Sequence, residues 1–155
     1  MKARAISAWI RAGLVLLAVV AVDQLSKHLI RHAIVPGEER KLLPGLELVN
    51  TRNRGVAFGL LPGSHIAVTL LIGLALLALL VYFATHAIRP LLWLPTGMLI
   101  GGALGNIFDR LNGGSVTDFI KLPLGWPPFN LADSAITLGV LLLLFVLEGP
   151  GKDSQ

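Results

Sequence analysis

The chain contains no cysteine. This absence excludes a disulfide framework, a metal site built from thiolates and a cysteine that could itself accept a lipid. Charged residues are also scarce: they make up 14% of the 155 residues, whereas 54% are hydrophobic and the mean hydropathy is +0.75. A soluble domain of this length needs more polar surface than this inventory supplies. The composition therefore predicts a small integral membrane protein.

The charge balance is basic, with 13 lysines and arginines against 9 acids and a formal net charge of +4. The basic residues are scattered and form no face interleaved with aromatic side chains, so no nucleic-acid partner is expected. Anionic phospholipid headgroups of a membrane are the partners that this charge favours.

Four apolar segments can be drawn along the chain, at residues 9–30, 65–84, 90–108 and 131–147. A helix needs roughly 20 apolar residues to cross a bilayer, and about 17 are tolerated. The first segment is the weakest, since its clean apolar run ends at Val22. A cleaved signal peptide is an open alternative for it. The i,i+4 spacing of Asp23 and Lys27, with the acid first, favours a helix that continues through these charges.

Two longer segments connect these spans, at residues 31–64 and 112–130. In the first, Pro-Gly pairs at 36–37 and 44–45 mark turns, and "LELVN" has some strand character. We therefore predict an all-α integral membrane protein of one domain, residues 1–155. Its four transmembrane helices are joined by a small extended or β element between the first two. Both connections would lie on one side of the membrane, but the positive-inside rule does not choose that side, because basic residues flank both.

Two aspartates flank the second connection, Asp118 within it and Asp133 at the start of the fourth span. A fold-back of the turn-prone segment between them would bring the carboxylates together. Two adjacent carboxylates cannot both ionise easily, so they share one proton. Such a pair suits water-mediated hydrolysis of an amide. The ionised member takes a proton from water, and the protonated member polarises the scissile carbonyl.

Each acid also has a purely structural explanation. Asn130 and Asp133 fit the cap and the first turn of a helix, where the dipole favours a negative charge. Asp118 follows a Gly-Gly turn, which is typical of a solvated loop acid. Asp109 and Arg110, at the end of the third span, fit a partly buried ion pair or an interfacial anchor.

Other features indicate packing rather than chemistry. Gly101 and Gly105 have the GxxxG spacing that is typical of closely packed helices. His28 and His32 share a helix face, but no third ligand is near them in the sequence, so no metal site is expected.

Five stretches, taken in order, resemble the motifs of a known family. They are "DQLSK" (23–27), "NRGVAFG" (53–59), "GALGNIFDRL" (102–111), "VTDF" (116–119) and "FNLADSAI" (129–136). With them the sequence resembles the lipoprotein signal peptidases (signal peptidase II), intramembrane aspartic endopeptidases of bacteria. The resemblance extends over nearly the whole chain, and the last three stretches together are its most specific part. Val56, where the family commonly has a smaller residue, and a short connection between the two aspartates are the departures.

The resemblance implies that Asp118 and Asp133 are the catalytic residues. It implies supporting or substrate-binding roles for Asp23, Lys27, Asn53, Gly55, Phe58, Asn106, Asp109, Arg110, Asn130 and Ala132. It also implies that neither a metal nor an organic cofactor is needed. The substrate would be a prolipoprotein with a diacylglyceryl group on its cysteine, cut just before that cysteine. The expected setting is the bacterial inner membrane, with cytoplasmic termini, an active site near the outer leaflet and a monomeric enzyme.

A rival hypothesis comes from another class of protein. Intramembrane carboxylates also serve as ion or proton relays in small coupled transporters. The lack of an inverted repeat and the confinement of the acids to one membrane face count against this alternative. A third possibility is a non-enzymatic anchoring protein in which the acids only cap helices.

Overall fold

The computed structural model describes residues 2–54, 65–123 and 125–148, with the side chains of 65–71 outside the description. These residues form four helices, α1 (Lys2–Ala33), α2 (His65–His86), α3 (Trp93–Gly113) and α4 (Leu131–Glu148). They also form three strands, β1 (Glu39–Leu43), β2 (Leu46–Asn53) and β3 (Val116–Lys121). The protein is therefore mostly helical with one small sheet.

The helices agree with the four apolar segments of the sequence. The clearest extension is in α1, which begins at Lys2 and continues through Asp23 and Lys27 to Ala33, as the i,i+4 spacing predicted. Within the described residues, α1 and α4 are long and apolar enough to cross a membrane. Leucines on their outer surfaces are exposed, for example Leu17 and Leu141, which is the surface that a lipid environment accepts.

The predicted loop around Asp118 is wrong. Residues 116–121 form β3, which pairs with β2 in an antiparallel sheet of order β1-β2-β3. Gly114, in the left-handed conformation with φ 64°, ends α3 and donates its N–H to the Arg110 carbonyl at 2.9 Å. The left-handed residue suits glycine and turns the chain directly into the strand. Asp118 thus lies on a paired strand instead of a solvated loop.

Helix α3 packs against α1 and α4 through glycines, as the GxxxG spacing predicted. A Cβ atom on Gly101 would lie 2.9 Å from the Leu16 carbonyl oxygen, and one on Gly105 would lie 2.7 Å from an Asp23 oxygen. On the other side of α3, a Cβ on Gly102 would lie 2.6 Å from the Ala132 carbonyl oxygen. These approaches are closer than any side chain allows, so the glycines permit three helices to meet at one level.

The sheet lies across the ends of these helices and presents two different faces. Directly opposed residues of antiparallel strands point to the same face, and neighbours along a strand point to opposite faces. Thr51 opposes Asp118, whereas Arg52 opposes Thr117. The second of these faces packs on α1, where Phe119 is buried against Ile30 and Ile34. Asp118 therefore points away from α1.

Candidate active site

A cavity of about 640 Å³ lies between the sheet and the helices α3 and α4. Asp118 and Asp133 both line it. The fold-back between them is achieved by an antiparallel bridge that joins Ile120 to Phe129 and returns the chain to the start of α4. The structure thus brings together the two carboxylates that the sequence singled out.

Asp118 is buried on β3 and is held by two amide groups. Its Oδ1 accepts a hydrogen bond from Asn130 Nδ2 at 2.7 Å, and its Oδ2 accepts one from Asn53 Nδ2 at 3.0 Å. Burial raises the pKa of the Asp118 carboxyl above its ordinary value of 3.8, and the negative charge of Asp133 acts in the same direction. The two amide hydrogen bonds oppose this rise but do not cancel it.

Asp133 lies in the first turn of α4 and forms a reciprocal cap with Asn130. The Asp133 N–H donates to Asn130 Oδ1 at 2.9 Å, and the Asn130 N–H donates to Asp133 Oδ2 at 3.3 Å. The remaining oxygen, Oδ1, accepts a hydrogen bond from Asn106 Nδ2 at 2.8 Å. The capping explanation is therefore correct in geometry, but it does not exclude chemistry, because the same carboxylate lines the cavity. A helix N-terminus stabilises a negative charge there.

Asn130 is the link between the two acids. It is fully buried, and besides its contacts with Asp118 and Asp133 its Nδ2 donates to Asn106 Oδ1 at 3.2 Å. One amide side chain thus sets the position of both carboxylates.

A cluster of ion pairs lies directly behind this network. Lys27, with no exposed surface, bonds to Asp23 at 2.8 Å, to Asp109 at 3.3 Å and to Asn106 Oδ1 at 3.0 Å. Asp23 Oδ1 in turn accepts the backbone N–H of Ala132 at 2.9 Å. The cluster therefore ties α1 to α3 and to the start of α4, and it orients Asn106 toward Asp133.

Among the described residues, Asp109 does not form the ion pair with its sequence neighbour Arg110 that the sequence suggested. It pairs with Lys27 and, at 3.6 Å, with Arg31, and its Oδ2 accepts the Thr117 N–H at 3.0 Å. Arg110 is the next residue on the helix, so it projects about 100° away from Asp109. It is exposed at the wall of the cavity and donates a long hydrogen bond of 3.5 Å to the Asn106 carbonyl.

The cavity changes character away from the acids. Its polar end holds Asp118 and Asp133 together with Asn53, Asn106 and Arg110. The remaining wall is mainly apolar and includes Leu122, Trp126, Pro127, Pro128, Phe129, Ile136 and Leu138. Ala132 is fully buried at the start of α4, where its backbone carbonyl lies close to Gly102 and its Cβ lies near Gly105. Gly55 and Phe58 lie outside the described residues.

Sequence reasoning missed two residues that contribute hydrogen bonds to the network around the site. Gln24 donates from Nε2 to Asp23, to Asp109 and to the Gly105 carbonyl, and Arg31 donates to Thr117 Oγ1 at 3.1 Å. Arg31 could have been found, because it continues the i,i+4 series of Asp23 and Lys27 along α1. Gln24 carries no such spacing signal, since two of its three partners, the Gly105 carbonyl and Asp109, are on α3.

No group of three or more metal-binding side chains is present among the described residues. The rings of His28 and His32 lie against each other at an interplanar angle of 39°, with ring centroids 4.2 Å apart.

The comparisons with known proteins agree with these motifs. The family model described as signal peptidase (SPase) II matches residues 15–147. The lipoprotein signal peptidase of Syntrophomonas wolfei is 44% identical over 140 residues, which cover 90% of this chain and 93% of that protein. The lipoprotein signal peptidase of Moorella thermoacetica is 43% identical over 144 residues, which cover 90% of this chain and 94% of that protein. A solved structure of a bacterial membrane enzyme is 30% identical and superposes with a TM-score of 0.81, covering 93% of this chain and 94% of the other. The protein therefore belongs to the signal peptidase II family and is a membrane peptidase.

Proposed function

We propose that this peptidase removes signal peptides from diacylglyceryl-modified prolipoproteins, cutting just before the lipidated cysteine, with Asp118 and Asp133 as its catalytic pair. The observation that carries the proposal is the pair itself. Two carboxylates line one cavity, share Asn130 as a partner, and accept their side-chain hydrogen bonds from asparagine amides. Amides position a carboxylate without neutralising it, so a proton can still move on and off the pair.

The two acids take different roles in the proposed reaction. Asp118 carries the shared proton, because burial raises its pKa, and it donates a hydrogen bond to the scissile carbonyl oxygen. Asp133, at the positive end of α4, is the ionised base that takes a proton from the attacking water. The water oxygen bonds to the carbonyl carbon. When the C–N bond of the resulting tetrahedral intermediate breaks, the proton held by Asp133 passes to the leaving nitrogen.

The shape of the cavity supports a lipid-modified peptide as the substrate. Its volume of about 640 Å³ lies within the range of roughly 300–1,000 Å³ that ligand sites occupy. The polar end suits the peptide bond, and the apolar wall suits acyl chains of the diacylglyceryl group. Trp126 is exposed at this wall, and amphipathic aromatic rings favour the boundary between lipid and water.

The proposed setting is a single membrane domain, residues 1–155, in which all four helices cross the bacterial inner membrane. The catalytic pair lies at the end of the helices where α1 and α3 finish and α4 begins. With antiparallel spans, both chain termini lie at the opposite end. A precursor that has been exported presents its lipidated cysteine at the outer leaflet, so the termini are cytoplasmic. The enzyme is proposed to act as a monomer.

The proposal is tested with purified protein in detergent and a diacylglyceryl-modified prolipoprotein. Wild type should cleave before the modified cysteine, and Asp118→Asn and Asp133→Asn should each lose activity. Glu39→Gln is the matched control, because Glu39 lies on β1 and pairs with Lys121 away from the cavity. Retained cleavage in both aspartate variants would remove the pair from the mechanism.

The same experiment also tests the rival hypothesis of a coupled transporter. A peptidase cleaves in detergent, where no ion gradient exists, whereas a coupled transporter has no such activity. An intact precursor, under conditions in which a known signal peptidase II cuts it, would exclude the proposed function.

A further inference from the structure

A second cavity, of about 300 Å³, lies on the opposite side of α3 from the catalytic cavity. It is bounded by the C-terminal halves of α1 and α3, by β2 and by the turn before β3. Its lining is Gln24, Arg31, Arg52, Phe108, Asp109, Asn112, Gly113 and Ser115. The proposed peptide hydrolysis uses none of this cavity as a substrate site.

Two guanidinium groups face this cavity from different elements. Arg31 comes from α1 and is anchored by Thr117 Oγ1 at 3.1 Å, which leaves 27% of its side chain exposed. Arg52 comes from β2, where it opposes Thr117 and therefore shares a sheet face with it. Its Nη1 lies 3.8 Å from the position that a Cβ atom on Gly113 would take. The sheet thus brings Arg52 to the same wall as Arg31.

The charge of the cavity wall is positive. Asp109 is the acid that lines the cavity, but its oxygens already accept Gln24, the Thr117 N–H, Lys27 and Arg31. Asp23 and Asp109 are balanced by Lys27 and Arg31 in the ion-pair cluster. Arg52 adds a positive charge beyond that balance. Guanidinium groups donate planar pairs of hydrogen bonds that match the oxygens of a phosphate.

The surroundings of the cavity are apolar on the helix side. Phe108 lines it and is 55% exposed, and Leu104 and Leu111, one turn to either side on α3, are exposed as well. These three side chains form an apolar stripe that runs along α3 up to the arginines. A ligand with a phosphate at one end and acyl chains at the other fits both the arginines and the apolar stripe. A free phosphate ion fits only the arginines.

We propose that this second cavity binds the phosphate of an anionic glycerophospholipid, with Arg31 and Arg52 on its oxygens and the acyl chains along the α3 stripe. The planar donors of the guanidinium groups match the phosphate oxygens, and the exposed side chains of the α3 stripe accept the acyl chains. The site is separate from the catalytic pair and does not depend on the proposed reaction.

Native mass spectrometry of the full chain in mixed detergent micelles tests this site, with phosphatidylglycerol and phosphatidylcholine as competing probes. Wild type should retain one phosphatidylglycerol in preference to phosphatidylcholine. Arg52→Gln should lower that retention about fivefold or more, the effect of removing one basic residue that contacts an anionic lipid, and Arg52→Glu should lower it further. Arg40→Gln, on the same sheet but paired with Glu38, should bind as wild type does.

The results of this experiment either support or contradict the proposed lipid site. Equal retention by wild type and Arg52→Gln, or an equal loss in Arg40→Gln, would overturn the site. Displacement of the lipid by millimolar inorganic phosphate would assign the cavity to a free anion and overturn the lipid. Thermal unfolding of each variant establishes that it is folded, and Arg52 is exposed, so its replacement leaves the core intact.

Discussion

Two pairs of aspartates lie at the same end of the molecule and differ in their partners. Asp23 and Asp109 are ion-paired with Lys27, and Asp109 with Arg31 as well. Asp118 and Asp133 form no salt bridge within the described residues and are held by the amides of asparagines. Three of the four lie on helices and Asp118 lies on β3, yet only the second pair lines the candidate catalytic cavity.

The difference in partners indicates a structural role for the ion-paired aspartates and a chemical role for the amide-held ones. A carboxylate beside a buried ammonium group keeps its charge and ties elements together, and breaking such a pair is costly. A carboxylate held by neutral amides is positioned equally well, but its proton is free to exchange. Asn106 joins the two pairs, because its Oδ1 accepts Lys27 and its Nδ2 donates to Asp133. The ion-paired cluster therefore positions the proposed catalytic pair without a salt bridge to it among the described residues. The charge of Lys27 still acts on Asp118 from a distance and lowers its pKa, against the larger effect of burial.

The largest effect is expected from replacing the amide-held acids. Asp118→Asn or Asp133→Asn should lower the cleavage rate by at least about 100-fold, the contribution typical of a general acid or base. The free energy of unfolding should fall by no more than about 1–3 kcal/mol. Each asparagine keeps the shape of the side chain but replaces one of two hydrogen-bond acceptors with a donor. Cleavage rates and thermal unfolding of the same preparations check both parts. A variant that unfolds at a much lower temperature would place its aspartate with the structural pair.

The opposite pattern is expected when the ion-paired cluster is broken. Lys27→Met leaves Asp23 and Asp109 buried with one fewer cation, so the free energy of unfolding should fall by about 3–5 kcal/mol. Lys121→Met is the matched control: Lys121 also pairs with two acids, Glu39 and Glu47, but on the surface, and its loss should matter little. Chemical unfolding in detergent measures the difference. Equal stability of the two variants would mean that the buried cluster has no structural role.

Variants of Asn130 should separate its role as the cap of α4 from its role as the bridge between Asp118 and Asp133. Asn130→Ser keeps an oxygen that can cap α4 but removes the buried Nδ2 group that donates to Asp118 and Asn106. The cleavage rate should fall about tenfold or more, and the free energy of unfolding should fall by about 1–3 kcal/mol. Asn130→Ala also removes the cap and should lower the free energy of unfolding by about 1 kcal/mol beyond the serine variant. The two variants are compared by cleavage rate and by unfolding. If Asn130→Ser cleaves as fast as wild type, the shared amide is only a cap.

The smallest effect is a dependence on pH. The pKa of Asp118 is raised in the folded protein, so its folded form binds a proton more tightly than its unfolded form. Stability should therefore fall as pH rises from the ordinary value of 3.8 through the raised pKa of Asp118, and level off above it. Asp118→Asn should lack this contribution. Unfolding curves of both proteins across this interval measure it, and parallel curves would contradict the raised pKa.

The helices could be predicted because length and hydropathy suffice for them. The strand β3 could not, because "VTDFIK" is short and its conformation depends on pairing with β2. The same dependence explains Asp109. Its neighbour Arg110 is adjacent in the chain, but its actual partners, Lys27 and Arg31, lie on a different helix.

The sequence by itself determined the apolar helices and the contacts made within one helical turn, such as Asp23 with Lys27 and Asn130 with Asp133. It also identified the family, because the motifs stand in order along the chain. Only the tertiary structure decided which aspartates are neutralised by cations and which are held by amides. Asp118 and Asn53 are 65 positions apart, and Asp23 and Ala132 are 109 apart. Contacts of this kind depend on how the helices and the sheet pack, and local spacing carries no record of them.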